Sequence, residues 1–328
     1  YEALKSGWVS NILFNPRVGA EIFSHMADGA GVECRMETAV RTFRPLPGGG
    51  WHLTLTDGSA IRARVLVDGT ELGDLARDAG VEALRDGITA QDMTYVAIVK
   101  FYGHEVPARE PEGYDPALYR NCCDNPLADN RGGVNPLGQQ LWPPEMMLSY
   151  GRLPDGEIML NWPVCANDYF AEYIDMDDAG RAAAVNAARQ RTLGFLYFLQ
   201  TELGYRNLGL ADDVYPTADG LPFYPYFREA RRIAGRDTMT VAAARDPYAY
   251  DLYTRAVAVG DYPVDHHHVQ NPRREELGHL RFGEIPSFSV PLGVIIPVHT
   301  EDFLVADKAV SSSWEMNGAT RLQPVVMG

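Results

Sequence analysis

Residues 61–80 read IRARVLVDGTELGDLARDAG, and the rest of the chain is organised around this stretch. Arg62, Ala63, Arg64, Val65, Leu66 and Val67 first alternate in character and then turn fully apolar, which predicts a β-strand entering a core. The strand stops at Asp68-Gly69-Thr70, and Leu72, Leu75 and Ala76 then share one face of a short helix. A strand running into a loop and a helix is where an open α/β sheet receives a nucleotide. Gly69 lacks a Cβ where a ligand backbone would approach, and Thr70 is placed to cap the helix or to donate to a phosphate or ribose. Taken alone, an ordinary strand-to-helix turn is the better explanation of these residues.

The flanking sequence extends the pattern. Residues 16–29 predict a helix with Val18, Ile22, Phe23 and Met26 on one face. A strand over 32–43, a Pro/Gly turn, a strand over 51–56 and the Asp57-Gly58 hairpin signal follow. Gly29-x-Gly31 follows a helix and precedes a strand, the wrong order for a dinucleotide fingerprint. From residue 81 to about residue 260, strand-like pieces (93–102, 157–162) alternate with polar loops, and one long helix is predicted over 178–203. This composition predicts an inserted domain of mixed type. Strand patterns return at 288–297 and 302–306, the second followed by Asp307, Lys308, three serines and a helical start at Arg321.

With 328 residues, 46% of them hydrophobic, the chain is long enough for one large or two ordinary domains. A net charge of -15 argues against nucleic acid or an anionic membrane surface as partner. The cysteines, Cys34, Cys122, Cys123 and Cys165, have neither disulfide-framework nor zinc spacing, so free thiols in a reducing, cytoplasmic setting are expected. The chain opens at Tyr1 in mid-pattern, the expectation for a segment of a longer protein.

Several stretches resemble, in collinear order, a bacterial family of FAD-dependent oxidoreductases of the glutathione-reductase-like superfamily. VLVDGTELGDLARDAGVE is similar to its DATELGDLLPLAGVE-type motif, and LNWPVCANDYF to its Asn-Trp-Pro…Asn-Asp-Tyr segment with two residues inserted. DVYPTADGLPFYPYFREARRIAG, GDYPVDHHH and PLGVIIPVHTEDFLVADKAVSSSWEMNGATRLQPVVMG resemble further segments of that family. The resemblance implies a Rossmann-like FAD-binding domain, partial here, formed by residues 1–84 and 283–328, with an inserted α+β substrate domain at 85–282. The family's N-terminal Gly-x-Gly-x-x-Gly turn is not in this sequence, and Ala306-Asp307 stands where an Ala-Cys or Ala-Gly pair is expected.

By the same resemblance, Asp68, Gly69, Thr70 and Glu71 would face the adenine-to-pyrophosphate side of FAD. Asp307, Lys308, Asn317 and Gly318 would line its ribityl and pyrimidine end, with a helix from Arg321 aiming its N-terminus at the flavin. His267 matches the family's histidine and is the expected base, while Arg228 is the expected anchor for a substrate carboxylate. In Asp265-His266-His267-His268 a strand would place at most two imidazoles on one ion, so no metal is expected. The expected partners are a small-molecule substrate and either a second copy of the chain or a complementing N-terminal segment. A carbohydrate-active lyase or hydrolase, and a flavin-less scaffold, are the alternatives.

Overall fold

The computed structural model describes residues 13–86, 89–277 and 283–328. Its helices and strands run α1 (Pro16–Gly29), β1 (Val40–Pro45), β2 (Trp51–Leu55), β3 (Ala60–Ala63), β4 (Leu66–Asp68), α2 (Asp74–Asp78), β5 (Met93–Thr94) and β6 (Ala97–Phe101). They continue with α3 (Pro144–Tyr150), β7 (Ile158–Leu160), β8 (Asp168–Tyr169), α4 (Asp178–Thr201), β9 (Leu208–Leu210), α5 (Val241–Arg245), α6 (Pro247–Tyr250) and β10 (Ala256–Gly260). The last are β11 (Phe288–Pro291), β12 (Phe303–Val305), α7 (Trp314–Thr320) and α8 (Gln323–Met327).

These elements form two compact units, and the chain passes between them more often than a single insertion requires. The first comprises, of the described residues, 13–33, 92–226 and 267–274; the second comprises the remainder. The division differs from the expected one in placing 227–266 with the terminal segments and 13–33 with the middle of the chain. The expected boundary at 282/283 abuts residues 278–282, which lie outside the described residues.

In the first unit, α4 packs on β5, β8 and β9, burying Ala188, Phe195, Phe198 and Leu199. It starts where the sequence predicts, because the Asp177 carboxylate accepts from Gly180 N and satisfies one of the free donors of the first turn. Strands β7, β6 and β9 form an antiparallel sheet, and β5 pairs with β8. The helix over 16–29 is also present, but its predicted apolar face, Val18, Ile22, Phe23 and Met26, is exposed.

In the second unit, β1–β3 form an antiparallel meander and β4 pairs in parallel with β12. Trp51, Leu53, Leu66, Ile233, Phe303 and Val305 are buried together as their shared core. Three strand predictions are corrected here. The strand expected over 32–43 starts only at Val40, after Glu37 turns the chain with φ 53. The strand expected from 61 to 67 is two strands, since Ala63 is the rung opposite Trp51 of β2 whereas Leu66 is opposite Phe303. The chain must leave one sheet to join the other, and side-chain periodicity carries no mark of that change of partner. Val67 is 52% exposed, so β4 has one covered face rather than two. The strand expected over 288–297 ends at Pro291, and a 3-10 turn, Leu292–Ile295, follows it.

Asp68 organises the end of β4. Its Oδ1 accepts from Thr70 N at 2.8 Å and from the Thr70 hydroxyl at 2.6 Å, and its Oδ2 accepts from Ala76 N at 2.7 Å. Thr70 Oγ1 in turn accepts from Asp74 N at 2.8 Å, capping α2 from outside it. Gly73 is required between them: its φ is +74, and an added Cβ would lie 3.2 Å from Arg231 O. Asp68→Asn replaces one acceptor by a donor among buried N–H groups, and about 2 kcal/mol of stability is expected to be lost. Urea unfolding followed by circular dichroism measures this, and an unchanged midpoint would contradict the assigned role of the carboxylate.

Candidate functional site

Two clusters bring together the residues singled out in the sequence, one in each unit. In the second unit the last rung of the parallel pair is Asp68 opposite Val305, so loops 69–71 and 306–308 leave the sheet at the same level. An ion pair ties them: Lys308 Nζ lies 2.8 Å from Glu71 Oε1 and 2.8 Å from Asp307 Oδ1, and the lysine side chain is 0% exposed. Burial works against the ammonium charge, but the two carboxylates outweigh it and raise its pKa. Asp307 has φ 57, the left-handed backbone that a glycine adopts most easily. Its carboxylate folds back on Lys308 N at 2.6 Å, a local bond of the kind that lets aspartate tolerate this conformation.

The other residues expected at a cofactor are differently placed. Asp68 is fully buried and engaged within its own turn, so it shapes the loop. Gly318 is buried, and an added Cβ would fall 2.5 Å from the His266 ring, so its open side receives an imidazole. The helix expected from Arg321 begins two residues later, as α8 (Gln323–Met327), and Arg321 itself is the C-cap of the preceding helix α7, Trp314–Thr320. The Arg321 guanidinium bonds Asp265 O at 2.9 Å and Asp265 Oδ2 at 3.2 Å, at the carbonyl end of the helix. Ser313 sets the start of α7, with its hydroxyl accepting from Met316 N, so one serine of the triplet is a cap.

The 228–232 run is not a solvated strand edge. Arg228 is 1%, Glu229 2% and Arg232 5% exposed. Arg228 lies inside the unit, with its carbonyl held by Asn317 Nδ2 at 3.0 Å. Arg232 bonds Asp86 Oδ1 at 2.7 Å and Ser312 O at 2.6 Å, and its Nε faces Glu229 at 3.5 Å. Glu229 also accepts from Trp314 Nε1 at 3.3 Å. Burial pushes the Glu229 carboxyl up to about 7, with Arg232 the main opposing influence.

In the first unit, His267 Nδ1 lies 2.7 Å from Asp168 Oδ2. Asp168 is 0% exposed on β8, and Thr94, its partner on β5, donates its hydroxyl to the other carboxylate oxygen. A carboxylate only accepts, so His267 holds its proton on Nδ1 and the neutral ring has Nε2 as its basic nitrogen. The histidine backbone is pinned as well, its carbonyl accepting from Asp92 N at 2.8 Å. The strand expected over 265–268 is an irregular segment, and the histidines diverge along it. His266 turns to Glu315 O at 2.9 Å in the second unit, whereas His267 joins the first. Asp168 received no role from the sequence, because the two dyad residues stand 99 positions apart and only the fold pairs them. The one signal was its place in the Asn-Asp-Tyr segment.

Mixed helices and strands, with the parallel β4 and β12 ending side by side, are consistent with an α/β fold. Residues 2–328 match the family described as FAD dependent oxidoreductase, and the chain belongs to that family. No curated protein matches it. The cofactor of the family is FAD. Two observations bear on the fit of such a group, one at the strand-end loops and one at the start of α7. An added Cβ at Gly69 meets no atom within 4 Å, so the loop has open space beside it. Asn317 Oδ1 and Ser312 Oγ are buried with no hydrogen-bond partner among the described residues, a deficit that a polar ligand group would remedy.

Because the folded Glu229 carboxyl titrates near 7 and the unfolded one near 4.5, its stabilising contribution is complete below 4.5 and is lost as pH rises through 7. The expected loss over that window is about 3 kcal/mol. Glu229→Gln should abolish it, so unfolding free energies of wild type and variant, compared at acid and mildly alkaline pH, should converge or cross; parallel profiles would refute the assignment.

Proposed function

We propose that this protein is an FAD-dependent oxidoreductase of a small organic substrate: in the second unit, loops 69–71 and 306–308 and Asn317 would hold FAD, and in the first unit the His267–Asp168 dyad is built as a proton acceptor. The cofactor, when bound, supplies flavin N5 as the hydride acceptor. The observation that carries the reading is the 2.7 Å contact between His267 and a fully buried aspartate. A buried carboxylate on Nδ1 selects one tautomer, orients the ring and stabilises the imidazolium formed when Nε2 takes a proton. Thr94 and the β5–β8 pairing hold the carboxylate in turn, so the group that orients the base sits on a strand although His267 itself lies on an irregular segment. His267 would therefore take a proton on Nε2 and hold it against the buried Asp168 carboxylate. Arg228 is given a packing role, in keeping with its 1% exposure. The Rossmann-like character of the second unit is part of the same reading, and its support is the parallel β4–β12 pair with both loops at the strands' carboxyl ends.

The purified protein is expected to be yellow, with flavin bands in its visible spectrum and FAD released on heating. A colourless protein that takes up no added FAD would sink the reading. With a substrate that bleaches the flavin anaerobically, His267→Ala and Asp168→Asn should each slow bleaching by about 10²–10⁴-fold while leaving FAD bound. Bleaching at the wild-type rate in both variants would remove the dyad from the mechanism.

A further inference from the structure

We infer that Lys308 is a positioning residue that clasps the two cofactor loops of the second unit together, and that it does so without serving as a ligand of the cofactor's phosphates. The inference rests on the reading of these loops as the FAD site. A buried lysine beside a dinucleotide loop invites the opposite assignment, since an ammonium is a common phosphate partner. Three features of the site argue against it.

The first is enclosure. The Lys308 side chain is 0% exposed, and two of its three donors are directed at carboxylate oxygens, each at 2.8 Å. A phosphate oxygen could reach it only by displacing atoms that cover the side chain. The second is charge. One ammonium set against Glu71 and Asp307 leaves the cluster net negative, which repels a diphosphate but accepts hydroxyl donors. The third is connectivity. Glu71 follows the end of β4 and Lys308 follows the end of β12, 237 positions apart in sequence, and their ion pair spans the loops directly beyond the last rung of the sheet. Asp307 contributes from a left-handed backbone, φ 57, that its carboxylate supports by bonding Lys308 N and Nζ at 2.6 and 2.8 Å. The cluster thus spans both loops and fixes the backbone of one. Gly69 stands between Asp68 and Glu71 in the chain, so the loop that carries its open side is anchored at both ends, by the Asp68 turn and by the Glu71–Lys308 pair.

A double-mutant cycle separates a clasp from a ligand. FAD affinity is read by flavin fluorescence quenching in wild type, Glu71→Gln, Lys308→Met, the double variant and Lys308→Arg, at a temperature where circular dichroism shows all of them folded. A clasp predicts that Glu71→Gln and Lys308→Met each weaken FAD binding by about tenfold, and that the double variant is little worse than either. It also predicts that Lys308→Arg recovers most of the affinity, and that the two weakened variants share one altered bound-flavin absorption spectrum. A phosphate ligand predicts the reverse sign at Glu71: removing a negative charge there would leave FAD binding unchanged or tighter while Lys308→Met weakens it, and this result overturns the inference. Should Lys308→Met fail to fold, Glu71→Gln alone decides, because the two roles give it opposite signs. Failure of wild type itself to bind FAD overturns the cofactor reading and this inference with it, an outcome recognisable without any variant.

Discussion

The second unit depends on the parallel pairing of Leu66–Asp68 with Phe303–Val305. Only three rungs long, the pair joins segments from opposite ends of the sequence and is held by the side chains beneath it, with Leu66, Phe303 and Val305 buried with Trp51 and Ile233. Such a short ladder contributes little by hydrogen bonding alone, and apolar burial supplies most of its stability. Its consequence is positional. Parallel strands release their loops on the same side, whereas an antiparallel pair would have sent them to opposite ends.

Around that pair, several buried polar groups are met by named partners. Asp68 satisfies three donors of its own turn, and Lys308 is sealed between two carboxylates. Arg232 shares its guanidinium among Asp86, Glu229 and a carbonyl of the serine run. Networks of this kind add little net stability over an apolar core of equal volume, but losing one member leaves an uncompensated charge and is costly. Glu229 marks the weak point: with Arg232 already drawn to Asp86, burial outweighs its attraction and pushes the carboxyl up to about 7.

The first unit applies the same logic to a different end. Asp168 sits on a two-residue strand whose partner contributes Thr94, so backbone pairing and side-chain hydrogen bonding fix the same carboxylate. That fixes the tautomer of His267, a preorganisation that a histidine on a loop lacks unless a buried acid supplies it. The neighbouring histidines follow different partners, which is why a run of three imidazoles here does not behave as one cluster.

By itself the sequence determined what local physical chemistry can encode. The long helix begins at Asp177–Asp178 because a carboxylate cap is a one-residue signal, and the Asp57-Gly58 hairpin closes because Gly58 accepts the φ of 85 that its turn needs. The family was legible too, since its motifs are contiguous strings such as 65–82 and 291–328. Tertiary structure decided the rest. Whether 61–67 is one strand or two depends on the segment each half pairs with, and whether 228–232 is a wet edge or a buried network depends on Asp86, Ser312 and Trp314 arriving from elsewhere. The start of α7 at Trp314 was hidden in a serine triplet in which any member could cap. Asp168 became the partner of His267 only when folding closed a separation of 99 residues. Periodicity and capping are properties of a few consecutive residues, whereas pairing, burial and charge compensation belong to residues that meet only in the folded chain.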